Sequence, residues 1–109
     1  MGFGDIILIP FPFAELTQVK VRPSIVIAET ADRYRDLVVA AISSVLPVTP
    51  SKNEFIIEPS KQNGLRVRSV VKVDRLVTTK RERLIAEMGS VSEEEKATLK
   101  RIFESLPIS

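Results

Sequence analysis

Apolar side chains in this chain come in short, β-branched-rich runs, and only near the C-terminus does their spacing change to that of a helix. The runs predict strands at about Asp5–Ile9, Ser24–Ala28, Leu37–Ser43, Glu54–Glu58, Val67–Asp74 and Leu84–Met88. Between the first two lies a loop that carries Pro10 and Pro12, which are expected to end ladder pairing for want of N–H groups. Phe11 and Phe13 flank Pro12 as anchors for the loop base. Thr79-Lys80-Arg81-Glu82 has the Ser/Thr-x-x-Glu pattern of a capped turn. Ser92-Glu93-Glu94-Glu95 has the same pattern and opens a helix. There Leu99, Ile102, Phe103 and Leu106 follow at helical spacing, and Pro107 stops the helix.

Strands one to three are apolar at successive positions, so both of their faces need cover. One face fills a small barrel. One helix cannot cover all of the other, which points to a homodimer that buries part of the sheet. Strand five alternates instead. Val67, Ser69, Val71 and Val73 share one face, while Arg66, Arg68, Val70, Lys72 and Asp74 share the other. The second set is expected to form a row of cations ending in a carboxylate, suited to tracking phosphates. The expected architecture is mainly β (α+β): about six strands and a C-terminal helix in a single domain, residues 1–109.

Composition narrows the chemistry. The chain has neither Cys nor His, which removes disulfides, thiol proteases, Ser-His-Asp triads and the usual zinc ligands. No metal or cofactor is expected. No apolar run approaches the roughly 18 residues that span a membrane, and the first residues lack a signal-peptide layout. A cytoplasmic protein is the expectation. Net charge is only +2, yet positions 60–83 hold eight basic side chains against two acidic ones. So concentrated a basic segment suggests a polyanion partner.

The stretch from Gly4 to Ile27 offers the best place for chemistry on an anion. Arg22 directly precedes Pro23, which favours extended backbone at Arg22 and fixes a guanidinium at a hairpin mouth. Its planar fork matches phosphate oxygens. Ser43, where the third strand leaves the sheet, can add a hydroxyl donor. Lys72 and Asp74 form a candidate acid–base pair on one strand face, with Asp5 and Glu15 as other carboxylates. Phe13 and Tyr34 can stack on a base.

Gly4-Asp5-Ile6-Ile7-Leu8, Arg22-Pro23, Val38–Ser43, Ser69–Asp74 and Thr78-Thr79-Lys80 through Leu84 together resemble the MazF/PemK-type toxins of type II toxin–antitoxin systems. The resemblance implies an SH3-like small barrel with a C-terminal helix. It also implies a homodimeric, metal-free, sequence-selective endoribonuclease (an mRNA interferase) for single-stranded RNA, blocked by an extended, largely acidic segment of a cognate antitoxin. By that resemblance Arg22 matches the family's catalytic arginine and Ser43 its catalytic Thr or Ser. Lys72 and Asp74 match an Arg and an Asp used in one branch, with Lys a departure from the rigid fork. That branch's loop His is absent here, and Arg75 stands where Gln is frequent. Lys20, Arg66, Arg68 and Phe13 are the RNA-binding candidates.

An arginine is a poor general base, because at pH 7 only about one in a hundred thousand is neutral. Arg22 is therefore read as stabilising charge, with proton removal left to Asp74, another carboxylate or water. Two rivals share the fold. Gyrase-poisoning toxins rely on a C-terminal aromatic, whereas this chain reads Leu106-Pro107-Ile108-Ser109 and has no Trp. A non-catalytic SH3-like binding module is the other.

Overall fold

The computed structural model describes residues 1–12 and 19–107. Six antiparallel strands form one curled sheet in the order β4-β5-β3-β2-β1-β6. They are β1 (Asp5–Pro12), β2 (Val19–Glu29), β3 (Leu37–Ser43), β4 (Glu54–Ile57), β5 (Ser69–Thr79) and β6 (Ala86–Ser90), followed by α1 (Glu93–Glu104). Register shifts at Ile6/Ile7, Val26/Ala28 and Ala40/Ala41 curl the sheet into a half-barrel. This is the mainly β architecture, with a C-terminal helix, that the hydrophobic runs predict.

The first hairpin is longer than expected, because its prolines do not end the ladder. Pro10 pairs with Val21 and Pro12 with Val19. Leu8 O accepts from Ile85 N at 2.9 Å, so Leu8 directs its backbone groups away from β2. Two and four residues on, the N–H groups that Pro10 and Pro12 lack would point the same way. β6 pairs with β1 only from Asp5 to Leu8, so nothing in the β1–β2 ladder is lost. Pro23 is accommodated similarly, one residue past the Ser24↔Ala41 rung where the β2–β3 ladder begins.

Two apolar clusters lie on opposite faces. Ile6, Ile25, Ile27, Ile42, Val71 and Val73 fill the concave side, and Leu99 and Ile102 of α1 pack onto it. The helix forms as the sequence predicts. Ser92 Oγ accepts from Glu95 N at 3.1 Å, and Ser92 N donates to Glu95 Oε1 at 2.8 Å. Phe103 departs from the expected stripe and remains 37% exposed. Ile7, Ile9, Phe11, Val26, Leu37 and Val39 make the second cluster, against which Val77 and Leu84 pack. The second face is thus buried within a single chain, so the need for cover no longer argues for a dimer.

Two further expectations are corrected. Thr79 ends β5 in a rung with Leu37, and the short 3-10 turn Arg81–Arg83 has Lys80 at its N-cap with no side-chain cap. The Thr79–Glu82 capping pattern is therefore not used. β5 begins at Ser69, so Arg66 and Arg68 precede it, and Val70 between them and Lys72 is fully buried. The predicted row of cations along one strand face does not exist.

Candidate functional site

Arg22 sits where the sheet runs out. β2 is held by β1 through Ile9↔Arg22, and β3 joins only from Ser24 onward. Side chains alternate along β2, so Lys20, Arg22, Ser24 and Val26 share the face of the second apolar cluster. Continuing the Ser24↔Ala41 register by two residues sets Arg22 level with Ser43. Ser43 is in turn opposite Val70 of β5, and the neighbouring rung runs Ser24, Ala41, Lys72, Glu54. Arg22, Ser43 and Lys72 therefore occupy adjoining rungs of one face. Strand spacing puts the backbones that carry Arg22 and Lys72 about 10 Å apart.

Ser43 is oriented by its own turn: its Oγ accepts from Val45 N at 3.1 Å. A hydroxyl that accepts there still has its proton to donate. Ser24, between Arg22 and Val26, is fully buried, and among the described residues its Oγ has no hydrogen-bond partner.

At the same end of the sheet a cleft of about 470 Å³ opens on the concave side. Leu8, Arg22, Pro23 and Ile42 line it from the strands, and Ser44 from just past the end of β3. Gly64, Leu65, Arg66 and Val67 line it from the β4–β5 connection, with Ser69 and Met88. Arg22 belongs to this lining and to the Ser43 rung, so it stands at the boundary of two surfaces. Arg66 is exposed, and among the described residues it has no carboxylate partner. Two arginine residues thus line a largely apolar hollow, Arg22 from the sheet margin and Arg66 from the loop.

The remaining candidates lie elsewhere. Asp74 falls in the stretch of β5 that the register shift leaves unpaired with β3, and it accepts from Asn53 Nδ2 at 3.2 Å. Neither Asp74 nor Lys72 lines the cleft. Arg68 turns away to Glu58, Nε to Oε2 at 2.8 Å. Lys20 is exposed on the hairpin, in a rung with Phe11. Phe13 and Glu15 lie outside the described residues. Asp5 accepts from Gly2 N at 2.7 Å, as a turn residue does. Tyr34 is 60% exposed at the other end of the sheet, with Arg33 stacked 4.9 Å from its ring centre. There too Arg81 pairs with Glu29, and its hydrogen bond holds the Glu29 carboxyl below its ordinary value of 4.5.

The basic segment 60–83 is thus divided: Arg66 goes to the cleft, Arg68 and Arg81 to ion pairs, Lys72 to a strand face. Sequence reading missed Ser44, which lines the cleft just past the end of β3, and Asn63-Gly64, a turn signal whose use only the fold reveals. No helix among the described residues is long and apolar enough to cross a membrane.

Comparisons with known proteins agree with this architecture. No curated protein matches the chain. Among solved structures, the Mycobacterium tuberculosis toxin MazF-mt6 superposes with a TM-score of 0.66 at 18% identity, covering 91% of each chain. A second, described as an endoribonuclease in complex with its cognate antitoxin from mycobacterial species, gives 0.70 at 14% identity, covering 98% of this chain and 97% of that one. At such identities they establish the shared fold. The family model of the PemK-like, MazF-like toxins of type II toxin–antitoxin systems matches residues 3–106, and the chain belongs to that family.

Proposed function

We propose that the protein is an endoribonuclease toxin that cuts single-stranded RNA at Arg22. Family membership supports the reaction class. The observation that carries the assignment is that Arg22 borders both the rung of Ser43 and an apolar cleft shared with Arg66. The scissile phosphate lies against Arg22 and Ser43, and a neighbouring nucleotide occupies the cleft. The 2′-oxygen attacks phosphorus, its proton passes to a base, and the P–O5′ bond breaks as the 5′-oxygen takes up a proton. No metal is needed, because the nucleophile comes with the substrate and the guanidinium stabilises the phosphorane charge. Ser43 donates a further hydrogen bond to that charge. Asp74 and Lys72 act in proton transfer, reached by RNA that crosses the strand face.

The partners follow from the same reading. An antitoxin segment of acidic character blocks the cleft, in keeping with the antitoxin complex of the structural neighbour. The working form is a homodimer in the cytoplasm, where mRNA is found. The test is to incubate purified protein with a long RNA in EDTA and to map the cut ends. Cuts at a short recurrent sequence that vanish with Arg22→Ala are expected. Intact RNA, or cutting that survives Arg22→Ala, overturns the assignment. Asp74→Asn with an unchanged rate removes Asp74 from the mechanism.

A further inference from the structure

The cleft has one wall of paired strand and one of loop, and the loop wall needs its own explanation. The connection from β4 to β5 starts at one edge of the sheet and reaches the other. Ser90 N donates to Gln62 O at 3.0 Å, and Gln62 Nε2 donates to Val91 O at 3.0 Å, so the loop is sewn to β6. The seam is tight. A Cβ on Gly64, which adopts φ +71°, would lie 2.5 Å from Met88 O, and one on Gly89 would lie 2.1 Å from Gln62 O.

Within the loop one side chain does the work of a ladder. Asn63 is fully buried. Its Oδ1 accepts from Ser60 N and Leu65 N, each at 2.9 Å, and its Nδ2 donates to Glu58 O at 2.9 Å. Ser60 closes the ring by accepting from Asn63 N at 3.0 Å. A buried turn must satisfy its backbone groups, and an amide supplies two acceptor sites and a donor on a short stem. Aspartate has the same shape but, ionised, no donor for Glu58 O. Leu65, the last acceptor-bound residue, directly precedes Arg66.

We propose that Asn63 is a positioning residue for RNA: it fixes the backbone from which Arg66 reaches the cleft, and its effect on substrate passes through Arg66. This rests on the reading of the cleft as an RNA site. Arg22 is held independently by the β1–β2 ladder, so loosening the loop weakens RNA capture and spares the bond-breaking step.

The experiment is a double-mutant cycle with Asn63→Asp and Arg66→Ala. It reads KM and kcat for cleavage, and the salt dependence of binding to a single-stranded RNA blocked by 2′-deoxy substitution. Asn63→Asp is expected to raise KM about tenfold with kcat within about twofold. It should shift the log–log salt slope by about 0.7, the loss of one phosphate contact, as Arg66→Ala does. In the Arg66→Ala background it should add nothing. Asn63→Asp lowers the melting temperature under either reading; a purely structural role would shift RNA affinity equally in both backgrounds, which overturns the proposal. Should Asn63→Asp not fold, Gln62→Ala at an exposed position takes its place. A threefold rise in KM confined to the Arg66 background is expected, and an equal rise in both overturns it. Wild-type protein that binds no RNA overturns the reading of the cleft together with this proposal. Binding with an additive cycle overturns this proposal alone.

Discussion

Arg22 and Arg66 arrive at one cleft by opposite means. Arg22 is carried by a strand whose backbone is paired on the β1 side and stiffened by the proline that follows. Its position is a by-product of sheet formation, backed by a buried cluster on the same face. Arg66 is carried by a loop without ladder partners, and a buried amide with two close-packed glycines does for it what a sheet does for Arg22. Many weak contacts hold the first; a few specific ones hold the second. The strand-borne group therefore suits the step that needs fixed geometry, and the loop-borne group suits capture.

The sharpest way to break this contrast is Arg22→Ala. Loss of a donor aimed at developing charge lowers kcat by about 10²–10³-fold. Arg22→Lys recovers little, because an ammonium lacks the planar fork. Single-turnover cleavage measures both, and a fall of less than tenfold would make the two arginines equivalent.

Gly64→Ala probes the fragility of the loop wall. The left-handed backbone and the approach of Met88 O make the substitution cost about 1–3 kcal/mol, several degrees in melting temperature. Val21→Ala, at a half-exposed position of β2 next to Arg22, costs about 1 kcal/mol or less. Equal losses by calorimetry would erase the distinction.

Ser43 ends β3 on the face it shares with Arg22, whereas Ser44, the first residue past the strand, lines the cleft. Ser43→Ala should lower kcat about tenfold, as loss of a charge-assisted hydrogen bond does. Ser44→Ala should leave kcat within about twofold. The reverse order would move the scissile phosphate into the cleft, beside Arg66.

The smallest effect lies at the far end of the sheet. Arg81 lowers the Glu29 carboxyl below 4.5, chiefly through its hydrogen bond. A depressed carboxyl stabilises the fold above its unfolded pKa, and that contribution is lost as pH falls below about 4.5 through the folded value. Glu29→Gln should therefore flatten the acid end of the stability profile slightly, without touching cleavage at neutral pH.

Legibility in the sequence followed the same division. Leu37–Ser43 is a strand at the residues its apolar run marks, because every one of its positions is itself buried or half-buried in the sheet. Ser92–Glu95 caps a helix because Leu99 and Ile102 then give that helix a face to bury. Thr79–Glu82 spells the same pattern, but Thr79 is already committed to a rung with Leu37, and no apolar stripe follows. The extension of β1 through two prolines was hidden because it depends on which side of the strand is unpaired. Of the site, Arg22 could be found from its local setting. That Arg66 parts from Arg68 and lines the cleft could not, since alternation describes strands and this segment is held by Asn63.

Pro10 and Pro12 have a consequence beyond the hairpin. Past Leu8, the outer rim of β1 is not joined by any described strand, and such rims are where foreign polypeptide segments zip on and fibrils start. Two missing amides at alternate positions deny an intruding segment the donors it would need there. This stretch of the border is thus unreceptive to strand invasion, and an inhibitor segment laid along it in extended form would have to be received by side chains rather than by backbone.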